Sequence, residues 1–192
     1  MFKSLIMSAA LVVVAGTANA YNTVSESIFA TQQAHIQGTV GTLGLNWKVG
    51  DECNYKLNMG GFLNGTMKMS VREIGADGMW LVQDVDLMIQ KQKIEILIDP
   101  NTGVVKKMLV DGKEQTPPKT DYEVLEQKED HITVPAGAYD CIYIKVKDKA
   151  NKDAVSEQWV NPRDIPLSGM VKSLADSQLG KVTVELTSFK KM

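Results

Sequence analysis

Cys53-Asn54-Tyr55-Lys56-Leu57-Asn58-Met59 is the stretch that decides the fold. Apolar side chains at every second position alternate with Asn54, Lys56 and Asn58, the period of a strand that buries one face and wets the other. Gly60-Gly61 interrupts the run, and the same period then returns, with Met67, Met69 and Val71 alternating with Lys68, Ser70 and Arg72. Ala76-Asp77-Gly78 reads as a turn. After it Met79, Leu81, Val85, Leu87 and Ile89 share one strand face. The opposite face carries Asp84 and Asp86, but also Trp80, Val82 and Met88. Ile94, Ile96 and Ile98 continue the alternation.

Toward the C-terminus, turn chemistry separates further strands. Asp99-Pro100-Asn101-Thr102-Gly103 is a turn, Val104 to Val110 a strand, and Asp111-Gly112 a tight hairpin. Pro117-Pro118 marks a break. Tyr122–Gln127 and Ile132–Val134 read as two short strands. Tyr139–Lys147, Val155–Val160 and the alternation of Val182, Val184 and Leu186 complete the series. About nine or ten strands at near-regular spacing predict a mainly β protein, a curled antiparallel sheet in the form of a half-barrel or barrel.

Upstream, Thr23-Val24-Ser25-Glu26 fits a capping box, in which hydroxyl and carboxylate satisfy each other's backbone donors. With Val24, Ile28 and Phe29 on one face, the pattern predicts a single N-terminal helix over 24–36. Its apolar stripe needs cover, and the concave side of a curled sheet offers it. Residues 1–20 read as a secretory signal peptide: Lys3, then an apolar run from Leu5 to Ala15, then the small-x-small site Ala18-Asn19-Ala20. Residues 21–192 form one β-rich domain. No later apolar stretch reaches the ~18 residues of a membrane-spanning helix, so no transmembrane anchor is expected. The expected compartment is the periplasm or a similar one, with the protein soluble after cleavage.

Loss of Lys3 leaves 20 basic and 23 acidic residues, a formal charge of −3. The signs are interspersed, and no basic stripe exists to follow a phosphate backbone, which argues against nucleic acid. An oxidising compartment favours a disulfide between Cys53 and Cys141, the only cysteines. The alternative is two separate buried thiols. His35 and His131 lie in no metal-binding or hydrolase motif, so no metal and no cofactor are expected. Asp84 and Asp86 could flank a sugar cleft as a carboxylate pair, but a solvated strand face explains them more simply. Eight of the ten methionines lie beyond Ala20. Met67 and Met69 on one strand face are open to three readings: adaptable core packing, the lining of an apolar ligand site, or soft ligation of Cu(I).

Two C-terminal segments carry a family resemblance. Ile132-Thr133-Val134-Pro135-Ala136-Gly137-Ala138-Tyr139-Asp140-Cys141 resembles the V-P-A-G-x-[FY]-[DE] turn of an uncharacterised family of exported bacterial proteins. Glu157-x-Trp159-Val160-Asn161-Pro162 followed by Ile165-Pro166-Leu167-x-Gly169 resembles that family's next hallmark, and Trp47-x-Val49-Gly50-Asp51 is also similar. The family in turn resembles the periplasmic lipoprotein carriers and outer-membrane lipoprotein receptors. The resemblance implies a half-barrel whose hollow holds acyl chains. Arg72 and Arg163, the only arginines, match no motif that would hold such a carrier closed.

Together these readings predict a non-catalytic binding or carrier protein for a hydrophobic ligand such as a lipid or acyl chain. Its partner would be a lipid or a lipidated protein. The predicted apolar face comprises Tyr55, Leu57, Met67, Met69, Leu81, Val85, Ile96 and Ile98. The alternative is a structural or assembly protein of the cell envelope, acting on another envelope protein through an exposed patch such as Trp80, Val82 and Met88. An enzyme ranks last, since no nucleophile and base can be paired.

Overall fold

The computed structural model describes residues 46–88, 90–117, 121–150, 153–177 and 180–192. The expected signal peptide over 1–20, the expected helix over 24–36 and His35 lie outside the described residues. Within them the chain forms eleven strands. The first six are β1 (Glu52–Met59), β2 (Leu63–Gly75), β3 (Gly78–Asp86), β4 (Lys91–Ile98), β5 (Val105–Val110) and β6 (Lys113–Gln115). The remainder are β7 (Tyr122–Val134), β8 (Gly137–Asp148), β9 (Ala154–Val160), β10 (Met170–Ser177) and β11 (Gly180–Lys190). All belong to one curled antiparallel sheet, in the order β6-β5-β4-β3-β2-β1-β11-β10-β9-β8-β7. Two meanders are thus joined by a single pairing, β1 with β11. The sheet does not close, and β6 and β7 are its edges.

Two differences from the expected strands have physical causes. Tyr122–Val134 is one strand of 13 residues, not two short ones. Its middle, Lys128-Glu129-Asp130-His131, is charged because β7 is an edge, where charge discourages pairing with other chains. β10 escaped the alternation pattern because its register with β9 shifts between Met170 and Lys172, so Met170 and Val171 are both buried. A bulge of this kind breaks the period of two. β6 is only three residues long.

The alternation fixes which face is covered. Cys53, Tyr55, Leu57 and Met59 on β1 are buried, as are Met67, Met69 and Val71 on β2 and Ile94, Ile96 and Ile98 on β4. Val182, Val184 and Leu186 of β11 extend this face beyond β1. The loop over 161–169 covers one end of the core, with Ile165 and Leu167 buried. Its conformation is pinned by Asn161, whose backbone N–H donates to the carbonyl of Gly169 at 2.8 Å. The same residue's side chain donates to the Asp140 carbonyl at 3.1 Å and accepts from the Asp164 N–H at 3.0 Å. Pro135-Ala136-Gly137 turns β7 into β8, and the Ala136 N–H reaches the Leu186 carbonyl at 3.1 Å.

The opposite face carries a cross-strand row. Lys128, Tyr143, Trp159, Lys172, Glu185 and Lys56 stand in register on β7, β8, β9, β10, β11 and β1. Tyr143 and Trp159 pack in a tilted arrangement, with centroids 5.0 Å apart and ring planes at 57°. The Lys172 ammonium lies 5.8 Å from the Trp159 ring and 2.9 Å from the Glu185 carboxylate, which also meets Lys56 at 2.7 Å. Side-chain pairing of this kind stabilises a sheet across its strands.

Candidate functional site

The eight residues expected to form an apolar face are gathered on β1 to β4. Tyr55 stands opposite Met67, and Met67 opposite Val85. Leu81 pairs with Ile96, and Met79 with Ile98. All eight are between 0% and 4% exposed. They form one continuous apolar surface, in which Met67 and Met69 occupy adjacent same-face positions of β2. Both thioethers are enclosed by this core rather than presented to solvent.

Tyr55 is the one polar tip in this set. Its hydroxyl donates to the Met170 carbonyl at 3.2 Å. Burial pushes its phenol well above the ordinary value, so it is a neutral donor throughout the physiological range.

A depression of about 550 Å³ opens beside the row, lined chiefly by Asn54, Thr66, Lys68, Asp84, Asp86 and Lys93 and reached by Tyr55, Met67 and Val85. Its charges are balanced. Lys91 pairs with Asp86 at 2.9 Å, and Lys68 with Glu52 at 2.6 Å. Asp84 stands in register between Lys68 and Lys93. A carboxylate set among lysines in this way suits a hydrated face.

Cys53 and Cys141 are free buried thiols, which corrects the expected disulfide. They stand on β1 and β8, separated in the sheet order by β11, β10 and β9, and a disulfide requires its two Cα atoms within about 7 Å. Each thiol instead faces a backbone carbonyl: Cys53 that of Pro166 at 3.5 Å, Cys141 that of Tyr139 at 3.7 Å. Burial pushes Cys53 up to about 12 and Cys141 up to about 11. Neither is a thiolate nucleophile at neutral pH.

His131 Nδ1 meets Asp140 Oδ1 at 2.7 Å on the exposed β7–β8 hairpin. The neighbouring Asp130 accepts the Trp159 indole N–H at 2.7 Å. That bond, with the His131 backbone N–H, holds the Asp130 carboxyl below its usual range. Cys141, next in sequence to Asp140, is buried, whereas the His131–Asp140 pair is exposed. Among the described residues no three His, Cys, Asp or Glu side chains cluster to hold a metal.

The proposed exposed patch of Trp80, Val82 and Met88 is not continuous. Val82 is buried, Trp80 is partly covered by the Arg72 guanidinium 4.8 Å from its ring, and only Met88 is open to solvent. Alternation alone could not show this, because Arg72 and Glu95, ion-paired across the sheet, screen that face. Sequence reasoning also missed Phe62, which is exposed at the β1–β2 turn. The signal was present as an aromatic residue directly after Gly60-Gly61.

No family model matches the chain, and no curated protein matches it. Among solved structures, a Bacteroides fragilis protein described as exported and of YmcC-like fold is similar to it with a TM-score of 0.40, at 12% identity, over 77% of this chain and 99% of that one.

Proposed function

We propose that this is an exported, non-catalytic binding protein whose curled sheet takes up a hydrophobic ligand, an acyl chain of a lipid or of a lipidated protein being the class that fits, with the periplasm as its compartment. The observation that carries the reading is the continuous apolar face of Tyr55, Leu57, Met67, Met69, Leu81, Val85, Ile96 and Ile98 inside a sheet that does not close. Edges β6 and β7 share no ladder, so the curl can widen without breaking strand pairing. Thioethers at Met67 and Met69 are unbranched and can move aside. Each methylene transferred from water is worth about 0.8 kcal/mol, so one acyl chain provides useful affinity. The resemblance of the Pro135–Gly137 and Trp159–Gly169 segments to an exported family related to lipoprotein carriers supports the same class.

A second reading, a structural or assembly protein of the envelope acting through protein contacts, is favoured by one observation: the same eight side chains already pack at 4% exposure or less. Native mass spectrometry of the exported protein, purified without detergent and then offered a soluble fatty acid, separates the two. Bound or acquired lipid mass, lost in Met67→Lys, supports the carrier. A bare protein that takes up no fatty acid overturns it in favour of the assembly reading.

A further inference from the structure

The turns β1–β2 and β3–β4 lie on one rim of the sheet, and each splits an apolar pair. Leu63 packs against the core while its neighbour Phe62 is 71% exposed. Leu87 is buried while its neighbour Met88 is 81% exposed. The two turns belong to adjacent hairpins, so their tips stand two strand spacings apart, about 10 Å.

The backbone at Met88 makes its side chain harder to explain as filler. Its φ is 55°, a left-handed conformation that glycine or asparagine adopts more readily. A methionine held there, almost fully in water, gains nothing from packing. Phe62 follows Gly60 and Gly61, both at positive φ, which form the tight turn that projects the ring outward.

We propose that this rim docks on a phospholipid bilayer, with Phe62 and Met88 entering its interfacial layer. Entry into that layer is unfavourable for unpaired backbone groups, and here backbone N–H groups of both tips are paired internally. Gly60 N–H donates to the Lys181 carbonyl at 2.9 Å, and Phe62 N–H to that of Met59 at 3.3 Å. Leu87 N–H donates to the Gln90 carbonyl at 2.9 Å, and Met88 N–H to Asp86 Oδ1 at 3.2 Å. Two separate tips are poorly suited to a protein partner, since a stable protein interface covers about 800 Å² on each side. An aromatic ring and a thioether at projecting tips suit the headgroup boundary. Of the exposed lysines at this rim, Lys91 is paired with Asp86 and Lys181 stands in register with Asp176, so the local charge is balanced, attachment is apolar and it persists in high salt.

The test is flotation of the exported protein with vesicles of phosphatidylethanolamine and phosphatidylglycerol, at low and high salt. The wild type floats at both. The double variant Phe62→Ser/Met88→Asn, whose asparagine tolerates the left-handed backbone, partitions on the order of tenfold or more less well. Val124→Ser, which removes another exposed apolar side chain on edge β7, floats like the wild type. Equal thermal melts of the variants establish that the fold is unchanged. A wild type that stays with the pellet, flotation abolished by salt, or a double variant that floats undiminished overturns the proposal. Docking is independent of acyl-chain uptake, which is read without vesicles.

Discussion

The Tyr55 hydroxyl donates to the Met170 carbonyl at 3.2 Å, a bond that joins β1 to the first residue of β10 inside the core. Tyr55→Phe keeps the ring and leaves that carbonyl without its donor. A buried acceptor stranded in this way costs about 1–3 kcal/mol. Urea unfolding is expected to show a lower midpoint with an unchanged slope. An unchanged midpoint would mean that the carbonyl finds another donor.

Alkaline pH acts on the same region. Burial raises the Tyr55 phenol well above its ordinary value and the Cys53 thiol to about 12. A raised acid holds its proton in the folded state after the unfolded chain has lost it. Stability is therefore complete below pH 9 and falls as pH climbs toward 12. Cys53→Val removes the thiol's share and flattens the fall. Denaturation midpoints measured from pH 8 to pH 11 check this, and parallel curves for the two proteins would contradict it.

On the acid side the relevant group is Glu185. Burial alone would raise its carboxyl, but Lys56 and Lys172 outweigh that and hold it below the usual range. A depressed carboxyl contributes stability that is present above the unfolded pKa, near 4.5, and is lost as pH falls through the folded value. The Glu185→Gln variant lacks this dependence and is less stable at neutral pH by up to about 1 kcal/mol, as partly exposed pairs give. Thermal melts at pH 7 and pH 3 are expected to converge for wild type and variant only at the lower pH.

Two glycines separate backbone conformation from close contact. Gly112 and Gly169 both have positive φ, 76° and 68°. A Cβ at Gly112 would meet nothing within 4 Å, whereas one at Gly169 would lie 2.7 Å from the Pro162 backbone. Gly112→Ala should cost about 1 kcal/mol, from conformation alone. Gly169→Ala should cost substantially more, because the 161–169 loop must shift off the core. Equal losses in chemical denaturation would show that the loop yields freely.

Thiol accessibility follows from burial. Cys53 and Cys141 should react slowly with a thiol reagent in the folded protein and fully in urea, with an intact mass equal to two free thiols. A mass two hydrogens lower would restore the bridge between them.

The strands that could be read from the sequence are those whose two sides meet different surroundings. Tyr55 and Met67 were legible because Lys56 and Lys68 beside them face water. On β10 the buried positions Val171, Ser173 and Ala175 still alternate, but a serine and an alanine stand there with the half-buried Leu174 between them, so the residue types carry no apolar alternation to read. β7 failed for the opposite reason: an edge strand with charge along its middle carries little burial signal. The apolar face was fully legible as a set of residues. That its members pack so closely was not, because periodicity shows which side turns inward but not how much space remains there. Val82 was misplaced on an open face because the cover given by residues on neighbouring strands, Arg72 and Glu95, leaves no trace in local spacing.

The single pairing between β1 and β11 has a consequence for the order of assembly. The first meander, β1 to β6, is complete in sequence before the second begins, and each of its pairings closes a short loop. The seam between the halves must wait for Gly180–Lys190, the last strand to emerge when a chain is threaded from its N-terminus. Until then β1 is a free edge, with its row of unpaired amides and carbonyls available to other chains. Pairings so distant in sequence form slowly, and the interval before the seam closes is when this protein most needs a chaperone.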